Sequence, residues 1–156
     1  MKQKRREFLM TAAWTGASLS AIGIGLLTPQ RVLAAYKQDA FTTKDATMAL
    51  KAATGSSEYS ESGDIKLKAP DIAENGAVVP ITVSSTLPNV ESISILATSN
   101  PFPMTSTYQL SGMSEPYVST RIKLGKSTDV IAVVKSNGKL YSASKEVKVT
   151  IGGCGG

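Results

Sequence analysis

Thr128-Asp129-Val130-Ile131-Ala132-Val133-Val134-Lys135-Ser136-Asn137-Gly138-Lys139-Leu140 is the stretch that decides the fold. Val130 to Val134 is almost continuously apolar at strand length, which predicts a central, buried strand. Asn137-Gly138 then predicts a two-residue hairpin, because a type I′ turn needs positive φ at both central positions and these residue types tolerate it. Leu140, Val147, Val149 and Ile151 carry the apolar pattern onward.

Working back from this hairpin, the same period-2 alternation recurs. Val118, Thr120, Ile122 and Leu124 share one face, with Arg121 and Lys123 turned away. Tyr108 and Leu110 lie on one strand, and Ile93 and Ile95 on another that ends before Asn100-Pro101-Phe102-Pro103-Met104. That loop reads either as a rigid turn or as a partner contact. Val79, Ile81 and Val83 alternate around Pro80, which favours an edge strand or a bulge because proline cannot donate to a ladder. Ile65 and Leu67 alternate with Lys66 and Lys68, and Asn75-Gly76 and Pro88-Asn89 mark turns. Seven or eight short strands at roughly 8–12-residue spacing predict an antiparallel β-sandwich. A small barrel has the same periodicity.

Ahead of the strands, Phe41 to Gly55 predicts one short helix. Thr42 is the candidate N-cap, Asp45 completes a shortened capping box, and Ala46, Ala49, Leu50 and Ala53 form an apolar face. Gly55 is the expected stop, and Ser56 to Gly63 is polar and reads as a loop.

The first 34 residues have a different character. Lys4-Arg5-Arg6-Glu7-Phe8-Leu9 is a basic segment with paired arginines, Thr11 to Leu27 is uncharged and apolar, and Val32-Leu33-Ala34-Ala35 offers small residues for a signal peptidase. Residues 1–34 are therefore expected to be a twin-arginine export signal, with a transmembrane anchor as the alternative reading. Of the 17 basic and 12 acidic residues of the chain, five basic ones (Lys2, Lys4, Arg5, Arg6, Arg31) and one acid (Glu7) lie there, which leaves 12 and 11, a net charge of +1. The basic balance of the whole chain thus belongs mostly to the signal and gives no support to nucleic-acid binding. The remainder, 35–156, is expected to hold one domain over 35–151 and a short arm over 152–156.

What the composition lacks is as informative. The chain has no histidine and a single cysteine. No intramolecular disulfide, Ser-His-Asp triad or Cys-His pair can be built, and a zinc or copper site without imidazole is improbable. Conventional acid–base or metal catalysis is therefore not expected, and no cofactor is.

The single cysteine, Cys154, stands three residues beyond Ile151, with Gly152 and Gly153 before it and Gly155 and Gly156 after it. Four glycines in five positions oppose compact packing, so the segment is expected to be a thin, mobile arm with a thiol as its one functional group, able to stand about 10 Å clear of the body. A functional thiol fits this pattern. So does a secreted binding module whose terminal cysteine forms an intermolecular disulfide.

Val147-Lys148-Val149-Thr150-Ile151-Gly152-Gly153-Cys154-Gly155-Gly156 resembles the carboxy terminus of the SoxY family, sulfur carriers of bacterial thiosulfate oxidation. Ala73 to Pro80, Val118 to Lys123, Thr128 to Val133 and Gly138 to Ser142 also match its pattern. The resemblance implies an immunoglobulin-like sandwich paired with a small subunit, SoxZ, in the periplasm. It implies that Cys154 carries sulfur intermediates as covalent adducts, loaded by a c-type cytochrome pair (SoxAX), trimmed by a hydrolase (SoxB) and, in many organisms, oxidised further by SoxCD. The carrier would be a substrate of each partner and not itself an enzyme.

Overall fold

The computed structural model describes residues 37–150. The export signal expected over 1–34, Ile151 and the Cys154 arm lie outside the described residues. Among these residues two short helices come first, α1 (Gln38–Thr42) and α2 (Ala46–Thr54), and nine strands follow: β1 (Ser60–Glu61), β2 (Ile65–Lys68), β3 (Ile72–Ala73), β4 (Val79–Ser85), β5 (Val90–Ala97), β6 (Met104–Gln109), β7 (Tyr117–Ile122), β8 (Thr128–Ser136) and β9 (Lys139–Val149).

The strands form two sheets. The larger runs β1-β9-β8-β5-β6, with β3 also on β9, and the smaller runs β2-β4-β7. The sandwich is the expected immunoglobulin-like one, antiparallel except where β1 and β3 pair parallel with β9. The β8–β9 hairpin turns at Asn137 and Gly138, with φ of 49° and 74°, the positive values that a type I′ turn demands. Its nine-pair register, Thr128↔Val147 to Ser136↔Lys139, makes β8 a fully bonded strand between β9 and β5.

The continuous apolar run of β8 follows from its two-sided burial. Val130, Ala132 and Val134 join Ile93, Ile95, Val79, Ile81 and Val83 in the core between the sheets. Val133, one step out of phase, faces the other way and packs with Leu96, Met104 and Leu140 under Ala40, Ala49, Leu50 and Ala53 of the helices. Each fully buried aliphatic side chain contributes roughly 1.5–3 kcal/mol of transfer free energy. A strand buried on both faces needs apolar residues at every position, whereas β4, covered on one face, keeps the alternation Val79, Ile81, Val83 in and Pro80, Thr82, Ser84 out.

Three local expectations are corrected. The segment 41–55 holds parts of two helices. Thr42 belongs to α1, where its hydroxyl returns to the Gln38 carbonyl, and Asp45 is the N-cap of α2, accepting from the Met48 N–H at 2.8 Å. Asp45 caps α2 because its carboxylate reaches the N3 amide while carrying the charge that the helix N-terminus favours. Gly55 ends α2 as expected, its N–H on the Lys51 carbonyl.

Pro80 lies in β4, which is the middle strand of its sheet and not an edge. The ring is tolerated because β2 reaches only as far as the Lys68↔Thr82 pair, so Pro80 has a neighbour on one side alone, Arg121 of β7. Finally, the polar segment 56–63 contains β1, which adds Ser60 and Glu61 to the edge of β9.

Candidate functional site

The residue expected to carry the chemistry, Cys154, and its flanking Gly152, Gly153, Gly155 and Gly156 lie outside the described residues. What the structure does describe is the base from which that segment leaves, the end of β9. β9 is paired with β8 up to Val147, and there β8 begins at Thr128 and can pair no further. The strand then changes neighbour: Ile72 and Ala73 of β3 pair with Lys148 and Val149. The Lys148 N–H donates to the Asp71 carbonyl at 3.0 Å and the Thr150 N–H to the Ala73 carbonyl at 3.1 Å. On the opposite side the Val149 N–H is taken by the Ser127 hydroxyl at 2.9 Å. Every backbone donor from 148 to 150 is thus satisfied after the main ladder has stopped, which is what keeps a strand end from fraying.

Two further contacts tighten the base. Lys145 Nζ donates to the Ala69 carbonyl at 2.6 Å and pairs with Asp71 at 2.9 Å, so the segment leading into β3 is tied along β9. Gly76 lies where no side chain fits. A Cβ there would overlap the Leu124 carbonyl oxygen and come within 2.9 Å of Val149 Cγ1, and the Gly76 carbonyl accepts from the Leu124 N–H at 2.7 Å. The Asn75-Gly76 turn, expected from sequence as a connector, is therefore a packing element of the base. Asn75 Oδ1 accepts from the Ala77 N–H at 2.9 Å to hold it. The sequence signal for this second role is absent, because close approach of two loops is a tertiary fact.

Next to the base, Asn100 bridges two loops: its side chain donates to the Lys123 carbonyl at 2.8 Å and accepts from the Gly125 N–H at 3.0 Å. The loop 100–103 is thus fastened to the end of β7, with Phe102 left about half exposed (48%). Between the free edges of β6 and β7 a groove of about 450 Å³ opens, lined by Phe102, Ser106, Tyr108, Arg121 and Lys123 among others. Ser106 Oγ is the one buried side-chain oxygen without a hydrogen-bond partner among the described residues.

Among the described residues no cluster of three or more potential metal ligands occurs, and no helix is long and apolar enough to cross a membrane. One carboxyl has a displaced pKa. Glu91 is held below the usual carboxylate range, first by the Gly138 N–H that it accepts at 2.7 Å and then by Lys135 at 3.2 Å. It fastens the β8–β9 turn to β5, far along the chain from the base.

Fold and base together define a class: a small two-sheet, immunoglobulin-like sandwich that pins the end of its last strand firmly. The comparisons with known proteins agree. The family model described as sulfur oxidation protein SoxY matches residues 50–154. The solved structure of the sulfur carrier protein SoxY from Chlorobium limicola f thiosulfatophilum is similar at 44% identity and a TM-score of 0.60, over 66% of this chain and 94% of that one. A superoxide reductase (neelaredoxin) from Ignicoccus hospitalis is similar at 28% identity and a TM-score of 0.49, over 55% of this chain and 80% of that one. No curated protein matches. The chain belongs to the SoxY family, and with that membership comes a role in sulfur oxidation.

Proposed function

We propose that this chain is a periplasmic sulfur carrier of thiosulfate oxidation, which holds its intermediates covalently on Cys154 and is passed among partner enzymes as their substrate. The observation that carries the reading is the extent of the family match, which runs through residue 154 and so takes in the only cysteine of the chain. The absence of histidine from the whole sequence supports a carrier over a self-sufficient catalyst.

The chemistry asks little of the carrier beyond a thiolate. Its sulfur forms an S–S bond with the outer sulfur of thiosulfate, and the two electrons released would leave one at a time to an oxidant, the cytochrome pair SoxAX. Water then cleaves the terminal sulfonate, which carries the inner sulfur away as sulfate with release of protons, in SoxB, and Cys154 retains the former outer sulfur of thiosulfate as a persulfide for SoxCD where that enzyme is present. An arm of Gly152, Gly153, Gly155 and Gly156 presents no side chain to the walls of a narrow active site, and a thiol on a docked domain reaches each site at high effective concentration. SoxZ is the stable partner of the carrier, and the residues before Ala35 direct export through the twin-arginine route.

The test is intact-protein mass spectrometry of the periplasmic protein from cells grown on thiosulfate, followed by mapping of the C-terminal peptide. Adducts of thiosulfonate, persulfide or sulfonate mass confined to the Cys154 peptide are expected, and Cys154→Ser abolishes thiosulfate-dependent oxygen uptake while SoxZ still co-purifies. A thiol found only free, or only in a disulfide to a second chain, overturns the carrier reading.

A further inference from the structure

The outer face of the small sheet differs from every other broad surface of the domain. The ladder sets Lys66 of β2 across from Ser84, and Ser84 across from Tyr117 of β7. Lys68 stands across from Thr82, and Thr82 across from Ser119; Pro80 stands across from Arg121, with Lys123 one step further along. Because Ile65, Val79, Ile81, Val83, Val118 and Ile122 fill the core, these intervening residues all point outward. Lys66, Lys68, Arg121 and Lys123 are exposed, and none has an ion-pair partner among the described residues.

No acid shares the face. Asp64 and Glu115 precede β2 and β7, beyond the paired positions, at the end away from Val149. The floor between the cations is low, made of Pro80, Thr82, Ser84 and Ser119. A domain with 12 basic and 11 acidic residues after its first 34 thus gathers four of its cations, and no carboxylate, on one flat surface.

We propose that this face is the docking surface for the partner enzymes that act on the arm, and that the surface it meets is an acidic rim around the mouth of their active sites. The inference rests on the carrier reading above. The placement supports it. Lys123 is next to Leu124, whose backbone meets Gly76, and Gly76 meets Val149, so the cationic face ends at the base of the arm. Cys154 is four residues beyond Thr150, a reach of about 13 Å when extended. An enzyme that receives the thiol must therefore sit close to the end of β9, and the cationic face runs away from that end.

The chemistry of the face suits short encounters. Exposed, screened charges raise the rate of association and fix its orientation while adding little to the lifetime of the complex, as a carrier that must leave each enzyme requires. Tyr117 and Phe102, each about half exposed at opposite ends of the face, provide limited apolar contact.

The experiment is a steady-state assay of Cys154 loading by the purified cytochrome partner with thiosulfate, run across ionic strength. For the unaltered protein, KM is expected to rise steeply with salt, about tenfold or more between low and physiological ionic strength, with kcat constant. The combined variant Lys66→Glu, Lys68→Glu, Arg121→Glu is expected to raise KM at low salt by at least about tenfold, to leave kcat unchanged and to flatten the salt dependence. Lys44→Glu with Lys51→Glu, on the helical side, should behave as the unaltered protein does.

Alkylation of Cys154 by iodoacetamide, a small neutral reagent, should proceed at the same rate in all forms. A salt-independent KM in the unaltered protein, or an equal effect of the two sets of substitutions, overturns the docking surface. Failure of the carrier reading shows itself separately, as loading that persists in Cys154→Ser.

Discussion

The two sheets bury themselves differently. The larger is covered on both faces along β5 and much of β8, by the smaller sheet on one side and by α1 and α2 on the other, while the smaller has one face in the core and one facing out. In the larger sheet β5 and β8 are buried at nearly every position, even at Ser92, Ser94 and Ser136. In the smaller one every second residue is free of packing duty, and those free positions hold the lysines and Arg121. Stability is thus concentrated in one layer and recognition is left to the other.

The largest effect that tests this contrast is expected from Ile95→Ala against Thr82→Ala. Ile95 is completely buried on β5, so its truncation should cost about 2–5 kcal/mol in urea unfolding, whereas Thr82, outward on β4, should change stability by no more than about 0.5 kcal/mol. Equal effects would remove the asymmetry.

Next is Gly76→Ala. The new methyl must displace the Leu124 carbonyl or the Val149 side chain, and overpacking of this kind costs about 1–3 kcal/mol. Amide exchange should accelerate at Lys148, Val149 and Thr150 more than in β5 or β8. Uniform acceleration would mean that the base is not an independent clamp.

The smallest is a pH effect. The Glu91 carboxyl is depressed in the folded protein by the Gly138 N–H and Lys135, so its contribution is complete above the unfolded carboxylate value of about 4.3 and is lost as the pH falls through the lower folded value. Glu91→Gln should therefore be less stable than the parent at pH 7, and the two should converge in acid. A constant difference from neutral pH into acid would assign the effect to packing instead.

Much of this was legible in the sequence where one local rule suffices. Asn137-Gly138 fixed its hairpin because backbone stereochemistry admits few residues there, and Val130 to Val134 announced a central strand. The reason for that run, a helical cover on the far side, was not legible, since periodicity records burial and not what does the burying.

β1 and β3 escaped notice because two residues carry no period. Thr42 and Asp45 both satisfy the preference for an N-cap, and only the break between α1 and α2 decides between them. Pro80 misled because the rule against proline concerns a strand's neighbours, and those depend on where β2 happens to end. As for the site, composition and the family pattern point to the GGCGG segment, which lies outside the described residues. The clamp beneath it, from Ser127, Gly76 and Ala73, arises only when three distant stretches meet.

The change of neighbour along β9 has a mechanical side. Any tug on the residues beyond Thr150, as when a bound thiol is drawn into another protein's cleft, is delivered along the strand axis. There it meets the bonds to β3, the Ser127 hydroxyl and then the whole β8 ladder loaded side by side in shear, so that they would have to yield together and not one after another. The last strand is thus built as the anchorage of a tether, its load shared with β8, the strand at the centre of the core.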